Sequence, residues 1–188
     1  VRHGWRSSKG PFKVTQSDRQ RIITLDWESA WDVYVEAVRK ITGETMTEEN
    51  FRTIAAGHPF GIGKIDAEKV VRDPYKGSPE EGISCVGDVP EGCFVDILSG
   101  EAEDLIRAAV QARTDAAATI GSRAGFCLVM DCISRFLYLG DAFPRELAAI
   151  MTPGLGMAGA LTVGEVANNG KSFLEFYNKT AVVGLLEG

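Results

Sequence analysis

The sequence that decides the fold lies in the second half of the chain and reads Gly125-Phe126-Cys127-Leu128-Val129-Met130-Asp131-Cys132-Ile133-Ser134-Arg135. Its first six residues carry no charge and no strong hydrogen-bonding side chain. Such a run is typical of a strand covered on both faces, since a half-exposed strand alternates between apolar and polar residues. The stretch therefore predicts a strand in the middle of a sheet.

Reactive and charged side chains follow at the carboxyl end of this strand, namely Asp131, Cys132 and Arg135. The next residues predict a short helix that ends at Gly140. Backbone N–H groups at a helix start favour anions, and a guanidinium adds paired donors for a carboxylate or phosphate. We therefore expect a small anionic ligand here. A thiol that points at the helix start or at Arg135 is expected to have a lowered pKa.

Two plainer interpretations of the same residues stay open at this point. Cys132 fits a small buried hydrophobic side chain, which is the usual environment of a free cysteine. Arg135 fits an ion pair with Asp131 or with another nearby carboxylate.

Charge and hydropathy exclude several classes of partner. The net charge of -6 and the pI near 5.0 argue against nucleic acid, because phosphate contacts supply most of the affinity of such proteins. No apolar run approaches the roughly 18 residues of a membrane span, and no charged-then-apolar leader opens the chain. The sequence thus predicts a soluble, cytoplasmic protein without a membrane partner.

The cysteines and histidines do not form a metal-binding pattern. The four cysteines contain no C-x-x-C pair, and both His3 and His58 lie far from them in sequence. This spacing disfavours zinc. In the cytoplasm the thiols are expected to stay reduced.

Length and composition predict one domain, because 188 residues with 45% apolar content are enough for a single substantial core. The chain opens with Val1 and a basic stretch over residues 1–10. We expect this stretch to be a linker from an upstream part of a longer protein, followed by the domain over residues 11–188.

Periodicity predicts an α+β fold, with a mainly antiparallel β-sheet or sheets packed against three or four α-helices. Helices are expected near 28–42 with Asp26 as the cap, from Thr47 to Gly57, and near 101–120 and 144–151, the last with Leu147, Ala148 and Met151 inward. Strands are expected over 12–15, 21–25, 69–72, 82–86, 93–98, 157–165, 173–177 and 180–186. Residues 73–77 and 89–92 are predicted turns, and Asn178-Lys179 a hairpin turn.

His58, next to Pro59, is expected to be structural because nothing nearby in the sequence marks a metal or a nucleophile. The following Gly61-x-Gly63 lacks the third glycine and the helix opening of a dinucleotide-binding turn. We therefore expect no phosphate role for it.

Several short motifs, taken in order along the chain, resemble the FIST C-terminal domain of intracellular signal-transduction proteins. They are Gly10-Pro11-Phe12-Lys13-Val14-Thr15, Val70-Val71-Arg72-Asp73, Val89-Pro90-Glu91-Gly92, Cys132-x-x-Arg135, Gly164-Glu165 and Asn178-x-Thr180. The resemblance covers most of the chain. It implies that residues 1–10 join a FIST N-terminal half.

The resemblance implies a non-catalytic sensory module that binds small ligands such as amino acids. It further implies that occupancy is passed to kinases, cyclases or chemotaxis-type partners. Some members of the family resemble haem-binding nitric-oxide sensors, but neither His3 nor His58 stands in a motif for a haem ligand. No cofactor is therefore expected, with haem as the alternative.

The leading hypothesis is an amino-acid-like ligand held at the end of the central strand. Arg135 would hold its carboxylate and Glu165 would face its ammonium. Cys132 and Asn178 would line the site, with Asp131 at the same strand end. The alternatives are an Arg135–Glu165 pair that only supports the fold, a protein-interaction module, and an enzyme with Cys132 as nucleophile. The last needs a nearby base that the two histidines are poorly placed to supply.

Overall fold

The structure, a computed structural model, describes residues 1–64, 67–168 and 173–188. It confirms the α+β fold. The chain forms two compact units. We call Arg6–Ser99 the closed-sheet unit, and Val1–Trp5 together with Gly100–Gly188 the open-sheet unit. Within the described ranges, no helix has both the length and the apolar character to cross a membrane.

The closed-sheet unit is built on one antiparallel sheet that returns on itself. Its strand order is β1-β7-β4-β5-β6-β2-β3, and β1 also pairs with β2. The first strand does this by pairing β7 with its first half and β2 with its second half, with register shifts in between. The strands are β1 (Arg6–Asp18), β2 (Arg21–Leu25), β3 (Glu28–Ser29), β4 (Phe60–Ile62), β5 (Val70–Ser78), β6 (Gly82–Val86) and β7 (Phe94–Ser99).

Two helices, α1 (Ala30–Thr42) and α2 (Phe51–Ala55), contribute to the apolar core of this unit. The α1 helix begins after Ser29, whose hydroxyl accepts a hydrogen bond from the Asp32 N–H at 3.4 Å. It ends at Gly43, whose φ of 77° is a conformation that glycine adopts without strain. The predicted end of this helix is confirmed.

The open-sheet unit contains a three-stranded sheet in the order β12-β8-β9, with β8 antiparallel to β12 and parallel to β9. The predicted central strand is thus confirmed as the middle strand. A separate pair, β10 and β11, is antiparallel. The elements are α3 (Ala102–Ile120), β8 (Ala124–Cys132), α4 (Ile133–Leu139), α5 (Phe143–Ile150), β9 (Gly156–Thr162), β10 (Glu165–Ala167), β11 (Glu175–Tyr177) and β12 (Ala181–Glu187).

One face of the three-stranded sheet is packed and the other is only partly covered. Cys127, Val129 and Asp131 are buried, whereas Leu128 and Met130 between them are half-buried. Ala109 and Ala112 of α3 belong to the core on the packed face, because small side chains allow a helix to approach a sheet closely. The prediction that β8 is covered on both faces is therefore wrong.

The predicted hairpin around Asn178-Lys179 is also wrong. Strand β11 pairs with β10, and β12 pairs with β8. The connection cannot be an exposed turn, because Asn178, Lys179 and Thr180 are all buried.

Several predicted boundaries change in the closed-sheet unit. Residues 6–10, placed in the predicted linker, form the first part of β1, while residues 1–5 belong to the open-sheet unit. Asp26 does not cap α1 but accepts a hydrogen bond from the Lys13 N–H at 2.9 Å. The turn predicted over 73–77 lies inside β5, where a register shift accommodates Pro74.

Candidate functional site

The first turn of α4 carries Arg135 into the interior of the open-sheet unit. Cys132 keeps extended backbone angles as the last residue of β8 and is also the cap before α4. Arg135 then comes four residues after Asp131, and its side chain is fully buried. A buried guanidinium is costly unless its donors are satisfied and its charge is paired.

The Arg135 guanidinium is satisfied by the protein itself. Its Nε and Nη2 both donate to the Glu146 carboxylate, the first at 3.3 Å. Its Nη1 donates to the carbonyl oxygens of His3 at 2.7 Å and Lys179 at 3.3 Å, and Nη2 donates to that of Leu105 at 3.0 Å. A ligand carboxylate would therefore have to displace one of these acceptors to reach Arg135.

Asp131 is the second carboxyl group beside this guanidinium. Its Oδ1 lies 3.2 Å from Nε of Arg135, so the ion pair left open by the sequence is present. Neither carboxyl oxygen accepts a hydrogen bond from an N–H or hydroxyl group of the described residues, whereas the Glu146 carboxyl group can share a hydrogen bond with Asp131 when one of the two is protonated. Burial raises the pKa of Asp131 to about 8, with Arg135 opposing and Glu146 adding to the rise. The carboxyl group is thus mostly protonated at neutral pH.

A groove of about 420 Å³ opens over the packed face of the sheet, with Asp131 in its wall. The strand β9 forms its floor over residues 157–161, and Phe143 and Leu147 of α5 form the opposite side. Gly159 lies against β8 so closely that an added Cβ would be 2.0 Å from the Val129 carbonyl oxygen. The groove is therefore apolar, and Asp131 is the one ionisable residue among the described residues that line it.

Cys132 and Glu165 meet behind this groove wall. Glu165 accepts a hydrogen bond from the Thr162 hydroxyl at 2.6 Å, and the Cys132 thiol is a further hydrogen-bonding neighbour of its carboxyl group. Burial raises the pKa of Glu165 to about 7. Burial also raises the pKa of the Cys132 thiol, so the lowered pKa expected from the sequence is not found. Cys132 is a protonated thiol at neutral pH.

Asn178 and Lys179 complete the buried cluster. The Asn178 amide donates to the Tyr177 carbonyl at 3.1 Å, and its nitrogen would be 3.0 Å from a Cβ at Gly164. The Lys179 ammonium lies 5.5 Å from the ring centroid of Trp5 and 5.8 Å from that of Tyr138. The two aromatic rings form apolar surroundings for the Lys179 ammonium, and their faces still attract its positive charge.

The five residues singled out from the sequence all lie in the open-sheet unit, and all are buried. Asp131 alone among them lines the groove, and the other four do not. They are Asp131, Cys132, Arg135, Glu165 and Asn178.

Sequence reasoning missed Glu146. The residues Phe143, Glu146, Leu147 and Ile150 recur at the spacing of one helix face, so a charge on that apolar stripe signalled a buried partner. The predicted inward residues Ala148 and Met151 are instead exposed. The face was assigned one position off.

The haem alternative finds little support at His58. Its Nδ1 lies 3.0 Å from the Ser99 hydroxyl, and its ring also interacts with the Leu98 backbone. An iron ligand at this position would have to replace these contacts. No group of three or more His, Cys, Asp or Glu side chains that could hold a metal ion occurs in the described ranges.

Comparison with known proteins gives one match. The family model of the FIST C domain matches residues 30–168, which is well over half of the chain. No curated protein and no solved structure gives a significant match. The chain belongs to the FIST C domain family.

Proposed function

We propose that this chain is a non-catalytic ligand-sensing domain, and that an amino-acid-like small molecule binds in the groove with its ammonium group on Asp131. FIST C domains are sensory domains of signal-transduction proteins. The ligand, its position and the absence of catalysis are our proposals.

This proposal rests on the burial and hydrogen bonding of Asp131. This residue is 2% exposed, lines an apolar groove, and accepts no hydrogen bond from an N–H or hydroxyl group of the described residues. A buried polar group without such a partner is costly, and a ligand ammonium removes that cost by donating to it. The groove is also within the range of about 300–1,000 Å³ that is usual for small-molecule sites.

The proposed roles of the other residues differ from those first expected. Arg135 anchors the strand end, because its donors already bind Glu146 and backbone carbonyls. The ligand carboxylate then points out of the groove toward water. Glu165, Cys132 and Asn178 do not line the groove and do not touch the ligand.

The buried thiol supports binding over catalysis. A nucleophilic cysteine needs a thiolate and a base, whereas burial raises the pKa of Cys132. The nitrogen Nδ1 of His3 already accepts a hydrogen bond from the Trp5 N–H at 2.9 Å. Rapid stoichiometric alkylation of Cys132 at neutral pH would contradict the non-catalytic role.

The proposal extends to partners through the family relationship. We propose that occupancy is passed, together with a FIST N-terminal half, to a signalling protein such as a kinase. The mark of this role is a change in partner affinity when ligand is added. Equal partner binding with and without ligand would instead favour a plain interaction module.

Thermal-shift and calorimetric titration with the standard amino acids test the proposal. The wild type should be stabilised by at least one apolar amino acid at millimolar concentration, because a ligand that binds only the folded state stabilises it. Asp131→Asn should abolish this stabilisation. Glu165→Gln is the matched control, since it removes another buried carboxyl group that does not line the groove, and it should retain binding. No stabilisation of the wild type by any amino acid would overturn the proposal.

A further inference from the structure

Glu146 lies on the same buried face of α5 as two groove residues but is turned toward Arg135. Phe143 and Leu147 line the groove, whereas Glu146 is fully buried and binds Arg135 through two nitrogens. It does not line the groove. The same turn of α5 therefore shapes the groove and holds the guanidinium inside the protein.

Three charged groups face Asp131 from the elements packed around it. They are Arg135 of α4, Glu146 of α5 and Glu165 of β10. Arg135 contacts Asp131 through Nε alone. The same nitrogen also donates to the Glu146 carboxylate. Glu146 thus competes directly with Asp131 for the positive charge.

We infer that Glu146 is a positioning residue that sets the charge of the ligand: by holding Arg135 it leaves Asp131 to bind an ammonium and makes the groove reject a carboxylate. This inference rests on the proposed ligand groove and adds the residue that selects the ligand.

The charge of the preferred ligand follows from the net charge of Asp131, Arg135 and Glu146. With Arg135 and Glu146 paired, the ionised form of Asp131 leaves the trio with one net negative charge, which an ammonium neutralises. Without the charge of Glu146, Arg135 and Asp131 neutralise each other, and a cationic ligand would bring an uncompensated positive charge into an apolar groove. The charge of Glu146 is one cause of the raised pKa of Asp131.

The first test uses Glu146→Gln, which keeps a hydrogen-bond acceptor for Arg135 but removes the charge. Carboxyl-carbon NMR follows the titration of Asp131, with Asp131→Asn to assign the signal. The pKa of Asp131 should fall by at least about one unit, since Arg135 becomes available to it. An unchanged or raised value would overturn the inference. This measurement needs no ligand, so it stands even when the proposed binding fails.

The second test uses probes that share one apolar group and differ in charge: isoamylamine, leucine and isocaproate. Wild-type protein should bind isoamylamine and leucine with similar affinity and should not bind isocaproate. Glu146→Gln should weaken isoamylamine binding at least about tenfold without weakening isocaproate binding.

The wild-type comparison decides the inference even when the variant does not fold. Preference of the wild type for isocaproate over isoamylamine would overturn the assignment of Glu146. Binding of none of the three would overturn the proposed groove, while the NMR titration would still decide whether Glu146 controls Asp131.

Discussion

The two units of this chain differ in what they bury. The closed-sheet unit buries an extended apolar cluster that includes Leu25, Tyr34 and Phe60. The open-sheet unit buries a smaller apolar cluster and places Asp131, Arg135 and Glu146 beside it at no more than 2% exposure. Buried ion pairs rarely stabilise a fold more than apolar packing of similar volume does. The closed-sheet unit buries charged residues as well, namely Arg72, Asp73 and Asp96, but at 6–9% exposure. The difference teaches that the open-sheet unit holds its charges deeper inside the protein.

The two units also differ in how exposed the charged residues of their grooves are. The closed-sheet unit has a groove of about 400 Å³, close in size to the one beside Asp131. Of its charged lining residues, Asp32 and Lys40 are exposed, and Glu36 is half-buried and pairs with Arg39 and Lys40 at the surface. Exposed charges are already satisfied by water, so this groove gives a ligand much less to gain.

The largest expected effect comes from breaking the charged cluster. Arg135→Met should lower the free energy of unfolding of the open-sheet unit by about 3–5 kcal/mol, because it leaves two carboxyl groups buried without their cation. Urea denaturation followed by hydrogen exchange resolves the two units and measures the loss. Arg107→Met is the control: its ion pair with Asp104 is at the surface, and the change should stay within about 1 kcal/mol. A cost for Arg135→Met as small as that of the control would remove the contrast between the units.

A core substitution tests the apolar packing of the closed-sheet unit. Leu25→Ala should lower the stability of the closed-sheet unit by about 2–5 kcal/mol, because a fully buried side chain is replaced by a cavity. The same denaturation experiment applies. Leu137→Ala, at a side chain that is 61% exposed, should change stability by no more than about 0.5 kcal/mol. Equal effects of the two substitutions would contradict the assigned core.

The smallest effect is a loss of stability with rising pH, which Asp131 should give to the open-sheet unit. The folded state raises the pKa of Asp131 from 3.8 to about 8 and so binds this proton more tightly than the unfolded chain does. The contribution of Asp131 to stability therefore falls as pH rises through this interval and is fully lost above about pH 8. Asp131→Asn removes this dependence, and its stability relative to wild type should rise by more than about 1 kcal/mol between pH 5 and pH 9.

The control for this experiment is Glu165→Gln. The pKa of Glu165 is raised only to about 7. The stability of Glu165→Gln relative to wild type should therefore stop rising at a lower pH than that of Asp131→Asn. Chemical denaturation across this pH range measures both variants. A difference between Asp131→Asn and wild type that does not depend on pH would show that Asp131 is ionised in the folded protein.

Local patterns predicted the elements better than the pairing between them. The middle strand was recognisable because residues 125–130 lack charge, and the end of α1 because Gly43 follows its last apolar residue. The pairing of β11 with β10 and of β12 with β8 depends on contacts that are distant in sequence, so the nearer hairpin was expected instead.

The site shows the same limit of sequence reasoning. Asp131 and Arg135 were identified because they follow a strong apolar strand, and their ion pair was among the alternatives. The competitor Glu146 was missed because the face of α5 was assigned one position off. The packing of α5 decides which of its faces points inward. This choice brings Glu146 to Arg135, so the guanidinium binds a carboxylate of its own protein.

The first five residues share a unit with residues 100–188, so the closed-sheet unit is an insertion in the chain. Its two ends are neighbours: Arg6 pairs with Ser99, and a Cβ at Gly100 would lie 3.1 Å from the Trp5 ring. Every strand of the open-sheet unit lies after residue 100, so joining residue 5 directly to residue 100 would keep all of them in the chain. A chain shortened in this way would show whether the open-sheet unit folds by itself.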